Sequence, residues 1–236
     1  MPRWATAPSV TCGSSKGYES PSSTRAVCTL LAAMKLPAFD RDAARALLKE
    51  KAAAPFSAFD VATRAHRRQD RQFHEEAALL FCLATERADA EHRADPSRPN
   101  QAMNHLVRAG IAFNRAGKAE VAEPLLRQAI AFDWAGQGLA QDSHMVEWGF
   151  FQLLLNARND PDRFARLFDE AVARCAEIGR NYTVIHPHQE ELLEIAIGLG
   201  HRPSAERLAA RIADRRPGKK AVKELLARAR AFLTGS

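Results

Sequence analysis

The stretch MNHLVRAGIAFNRAGKAEVAEPLLRQAIAFDWAG, residues 103–136, decides how this chain is read. Leu106, Ala109, Gly110 and Phe113 recur at the three- and four-residue spacing that places side chains on one face of an α-helix. Ala122, Leu126 and Ala129 resume that spacing after a break at Gly117, a residue suited to the turn between two helices. The stretch is therefore predicted to fold as a helical hairpin. Gly110 and Ala122 are small, so they let the two backbones approach closely while larger neighbours fill the surrounding space.

Similar spacing recurs on both sides of it. Residues 145–178 carry Trp148, Phe151, Gln152 and Leu155, then Phe164, Phe168 and Ala171. Residues 186–219 carry Leu192, Leu193 and Ala196, then Ala205, Ala209 and Ile212, with Pro217 near the end. Residues 58–91 carry Val61 and Ala65, then Ala77, Phe81 and Ala84. Arg64 and Arg68 stand where large apolar residues are expected, which weakens the first helix of that unit. Helix punctuation falls in phase with these segments. Asp40 caps a helix containing Ala43, Ala44, Leu47 and Leu48, which Pro55 stops. Asn100, Asp142 or Ser143, and Asp160 with Pro161 mark later starts, as do Pro187 and Pro203. Gly200 and Pro217-Gly218 mark breaks.

The small and large residues of 103–136 resemble the tetratricopeptide repeat, whose two helices carry W-x2-L-G-x2-Y and A-x3-F-x2-A patterns. The resemblance implies an all-α fold: a right-handed α-solenoid of about four helical hairpins. The units begin at residues 58, 103, 145 and 186, which are 45, 42 and 41 residues apart. A regular array steps by about 34, so longer connections and an irregular, tetratricopeptide-like array are expected. Lys219 to Leu233 reads as an amphipathic helix, with Val222, Leu225, Leu226, Ala229 and Phe232 on one side and basic residues opposite. Such a helix would cap the last repeat and face water. Residues 38–236 form the repeat domain in this reading. Residues 1–37, rich in Ser, Thr, Pro and Gly without helical period, read as a disordered leader, with Met34 a candidate initiator.

In this family the first helix of each hairpin lines a concave surface that holds a protein or peptide partner. Carried over, the resemblance implies His66, Gln69 and Asp70 from the first unit, and Asn104, Val107, Ile111, Asn114 and Arg115 from the second. Val146, Gly149, Leu153 and Asn156 follow from the third, Glu190 and Glu194 from the last. Asn114 and Asn156 occupy equivalent places, and an amide can both donate to and accept from a peptide backbone. Repeats that grip a chaperone's C-terminal carboxylate need Lys, Asn and Arg at set positions. Those positions hold Ala62, His66, Arg108, Val146 and Phe150 in one frame, and Val107, Ile111, Phe150, Pro187 and Glu191 in the next. Neither preserves that clamp.

Composition narrows the remaining options. Ala, Leu and Arg recur throughout, a helix-favouring bias that also suits a GC-rich bacterial genome. The longest apolar run, Ala26 to Met34, is too short to span a membrane, and its long polar leader argues against an export signal. Cys12, Cys28, Cys82 and Cys175 form no C-x-x-C pair, which points to a reducing cytoplasm.

Enzymatic chemistry finds no support. P-loop, dinucleotide, nucleophile-elbow and paired-Cys zinc motifs are all missing from the chain. His74-Glu75-Glu76 lacks a second His four residues after His74, where Ala78 stands. His186-Pro187-His188 with Glu190, Glu191 and Glu194 reads as a helix start whose acids favour the helix dipole. No catalytic residue, metal site or cofactor is therefore expected. The net charge of +6 invites a nucleic-acid reading. Ten Lys/Arg against three acids within residues 201–236 supply it, and Arg64, Arg67, Arg68 and Arg71 form a second cluster. The clusters lie at opposite ends of the repeat region without interleaved aromatics for base stacking, so nucleic-acid association ranks second to protein binding.

Overall fold

The computed structural model describes residues 39–49, 55–132, 144–178, 188–214 and 218–235, which are helical with short turns and contain no strand. The leader through residue 37, Met34, and the expected signals at Asp142, Ser143, Pro187 and Pro217 lie outside them.

The first helix, α1 (Arg41–Leu48), is capped by Asp40, whose carboxylate accepts the Ala43 N–H at 2.8 Å. It ends before Pro55 is reached, because Lys49 turns into the left-handed conformation at φ 52. Helix α2 (Ala58–Asp70) is complete despite Arg64 and Arg68. Ala58, Val61, Ala62 and Ala65 supply its buried stripe. The two arginines lie across aromatic rings, Arg64 over Phe56 at 4.3 Å and Arg68 over Phe73 at 5.7 Å. Their stems cover apolar surface while their charges face water. Helix α3 (His74–Ala94) buries residues around most of its circumference, among them Leu80, Phe81, Leu83 and Thr85. Contacts with α1 and α2, and with the helix that follows, account for that breadth.

The helical hairpin expected around Gly117 is formed by α4 (Ala102–Arg115) and α5 (Ala119–Ala131). Gly117 joins them at φ +77, where any other residue would be strained. A Cβ on Gly110 would stand 2.5 Å from Leu126 Cδ2 and 3.4 Å from the Ala122 carbonyl oxygen. The glycine thus buys the close approach of α4 and α5 that the sequence implies. Asn100 sits just outside α4, accepting the Ala102 N–H at 3.0 Å.

Next come α6 (His144–Asn156) and α7 (Pro161–Glu177). Asp160 caps α7, accepting the Arg163 N–H at 2.9 Å, and Pro161 takes the first helical position. Gly149 repeats the close approach, since a Cβ there would lie 2.9 Å from Ile130 Cγ1. After these, α8 (Gln189–Gly198) and α9 (Arg202–Asp214) are joined through Gly200 at φ +72. Finally α10 (Lys220–Thr234) buries Val222, Leu225, Leu226 and Ala229 on α8 and α9.

From α2 to α7 each helix packs on the next in sequence, and α4 also packs on α6. Phe81, Phe150, Phe164 and Phe168 are among the largest fully buried side chains. Each contributes roughly 1.5–3 kcal/mol by leaving water. Among the described residues, no helix is long and apolar enough to cross a membrane.

Candidate functional site

The last turn of α4 and the last two turns of α6 lie side by side and carry amides. Asn156 donates from Nδ2 to Asn114 Oδ1 at 3.0 Å. Asn114 in turn donates from Nδ2 to Gln152, reaching Oε1 at 3.2 Å and the backbone oxygen at 3.4 Å. The amides form a chain running from α6 to α4 and back. Gln152 is buried, so its bond with Asn114 offsets the cost of placing an amide there.

A recess of about 410 Å³ opens on this chain. Asn114, Gln152 and Asn156 line it together with Arg115, Leu155, Arg158 and Asn159, and the Gly117 turn forms one wall. Among the described residues, every charged side chain lining it is an arginine. Among the described residues neither Arg115 nor Arg158 has a carboxylate within ion-pair distance. Spare amide donors and acceptors beside two unpaired guanidinium groups suit an extended peptide carrying negative charge.

The charge of Arg115 is also felt at His188. The His188 ring stacks on Phe151 with centroids 3.9 Å apart and meets Trp148 edge-on at 4.8 Å. Burial lowers its pKa and Arg115 lowers it further, with Glu191 opposing.

The structure gathers three of the residues implied by the resemblance: Asn114, Arg115 and Asn156. Val107 is fully buried, Asn104 and Ile111 nearly so, and none of these presents a surface to a partner. This corrects the projection, and the cause is that α4 is covered by α3, α5 and α6. Among the other projected positions, Val146, Gly149 and Leu153 are buried too. His66 is half-buried, its ring edge-on to Phe81 at 5.0 Å, and burial followed by Arg108 lowers its pKa. His66 and Gln69 on α2 and Glu190 on α8 lie outside the recess.

Gln152, Arg158 and Asn159 were missed as site residues. The polar run Asn156-Ala157-Arg158-Asn159-Asp160, following an apolar helix, is the signal that marks the last two. The His74 motif is occupied locally: His74 Nε2 lies 2.9 Å from Gln72 Oε1, Glu75 pairs with Lys118, and Glu76 pairs with Arg68. Comparison with family models, curated proteins and solved structures found no match to this chain.

Proposed function

We propose that this chain is a non-enzymatic scaffold that holds a protein or peptide partner, built as a tetratricopeptide-like superhelix and working in a reducing cytoplasm. The observation that carries the reading is the amide chain Asn156–Asn114–Gln152 with Arg115 and Arg158 at its border. Only part of the hydrogen-bonding capacity of those amides is used within the protein. An extended peptide backbone offers donors and acceptors of matching kind, and an acidic residue or terminal carboxylate would complement the guanidinium groups. Cys82 is a free thiol and, like Cys175, is buried, in keeping with a reducing compartment.

The test is selection from a random peptide library with free carboxyl termini, using the full chain and its Asn114→Ala/Asn156→Ala variant. Peptides selected by the parent should bind the variant at least about tenfold more weakly, the loss of one or two hydrogen bonds. Helical content measured in parallel shows that the variant is folded. Selection of no specific peptide, or equal binding by a folded variant, overturns the reading.

A nucleic-acid role has less behind it. Arg207 pairs with Asp169 at 3.2 Å, Arg228 with Glu194 at 3.4 Å and Lys220 with Glu224 at 3.7 Å. In the other cluster Arg68 pairs with Glu76 at 3.0 Å. Charges engaged with carboxylates contribute less to phosphate neutralisation.

A further inference from the structure

A second hollow, of about 350 Å³, lies where the start of α2, the end of α3 and the start of α4 converge. It shares no lining residue with the amide recess. Phe59 and Pro99 supply apolar walls, and Phe59 is 77% exposed, which is unusual for a ring of that size. The polar lining is rich in acceptors. Glu91 spends one carboxylate oxygen on the Ala58 N–H at 2.8 Å, leaving the other without a partner among the described residues.

The ring of His92 lies with Nδ1 2.7 Å from the Arg98 carbonyl oxygen. Since a carbonyl can only accept, Nδ1 carries the proton, and in the neutral ring Nε2 holds a free lone pair. The His105 ring makes no hydrogen bond among the described residues, and its Nδ1 is buried without a partner. Burial, then Arg108 and His66, push its pKa down to about 4, so the ring is neutral at physiological pH. Among the described residues Arg98 is the one cation in the lining whose charge could cancel Glu91, and it is already paired with Asp95 at 3.0 Å. Among the described residues, no three metal-ligating side chains stand close enough to hold an ion.

An unopposed carboxylate, a neutral His105 ring and an exposed aromatic wall favour a cation on an apolar stem over an anion or a bare metal. We propose that this hollow binds an alkylammonium group of the kind carried by a lysine side chain. The stem would lie along Phe59 and Pro99. The ammonium would donate to Glu91, with His92 and His105 offering further acceptors.

The test is titration of the isotope-labelled full chain with Nα-acetyl-lysine methylamide and with its uncharged norleucine analogue, read by amide chemical shifts. Saturable shifts within residues 58–59, 88–92 and 98–105 are expected for the lysine probe, with norleucine at least about tenfold weaker. Butylammonium, run in parallel, separates recognition of the side-chain group from recognition that also needs the peptide portion. Equal affinities for the two assign the first, tighter lysine binding the second, and both agree with the proposal. Phe59→Ala, at an exposed position that should leave the fold intact, is expected to weaken the lysine probe. Glu91→Gln should weaken it by about tenfold or more. Absence of saturable shifts, equal binding of norleucine, or unchanged affinity in both variants overturns the proposal.

Discussion

Asn156 Nδ2 and Asn114 Oδ1 are hydrogen-bonded at 3.0 Å across 42 residues of sequence, linking the ends of α6 and α4. The bond joins two places that the repeat pattern marks as equivalent. Asn114 also carries Gln152, so the three amides act as one unit. A double-mutant cycle on Asn114→Ala and Asn156→Ala should give a coupling energy of about 0.5–1.5 kcal/mol in denaturant unfolding. Strict additivity would show that the bond contributes nothing to stability.

Gly110 and Gly198 make a paired prediction. Both are helical glycines, yet a Cβ at Gly110 meets Leu126 at 2.5 Å, whereas one at Gly198 meets nothing within 4 Å. Leu126 is fully buried and has little room to rotate away. Gly110→Ala should therefore destabilise by about 1–3 kcal/mol, while Gly198→Ala should stabilise by roughly 0.5–1 kcal/mol. Thermal unfolding of the two variants checks the opposite signs.

Stability should depend on pH through His105. Its folded pKa of about 4 lies below the ordinary 6.5 because burial, Arg108 and His66 disfavour the charged ring. Between those values the unfolded chain binds more protons, so stability falls as pH drops from about 6.5 to about 4. The limit for this one group is roughly 3 kcal/mol. His105→Gln should flatten the dependence in that window. An unaltered profile in urea titrations at several pH values would count against the assignment.

Cys82 should be inert while the chain is folded. Burial, aided by the nearby Glu86 charge, pushes its thiol up to about 12. Cys175 is equally enclosed. Peptide-resolved labelling with a maleimide at neutral pH should leave both unmodified until denaturant is added. Rapid labelling of Cys82 in buffer alone would contradict its enclosure.

Local patterns in the chain carried much of this architecture. The period of Leu106, Ala109, Gly110 and Phe113, the capping carboxylates of Asp40 and Asp160, and the breaks at Gly117 and Gly200 determined helices and turns. Each depends on neighbours within one or two turns. The tight seat of Gly110 was legible for the same reason, because a missing side chain inside a periodic apolar face implies a close neighbour. Tertiary structure alone decided which helix faces are covered. Val107 and Ile111 lie on the same helix as Asn114, but α3, α5 and α6 bury the first two and leave the amide at the edge. Whether a side chain meets solvent depends on elements distant in sequence, which helical periodicity does not encode. For the same reason Gln152, Arg158 and Asn159 became visible as neighbours of Asn114 only once α6 was laid against α4.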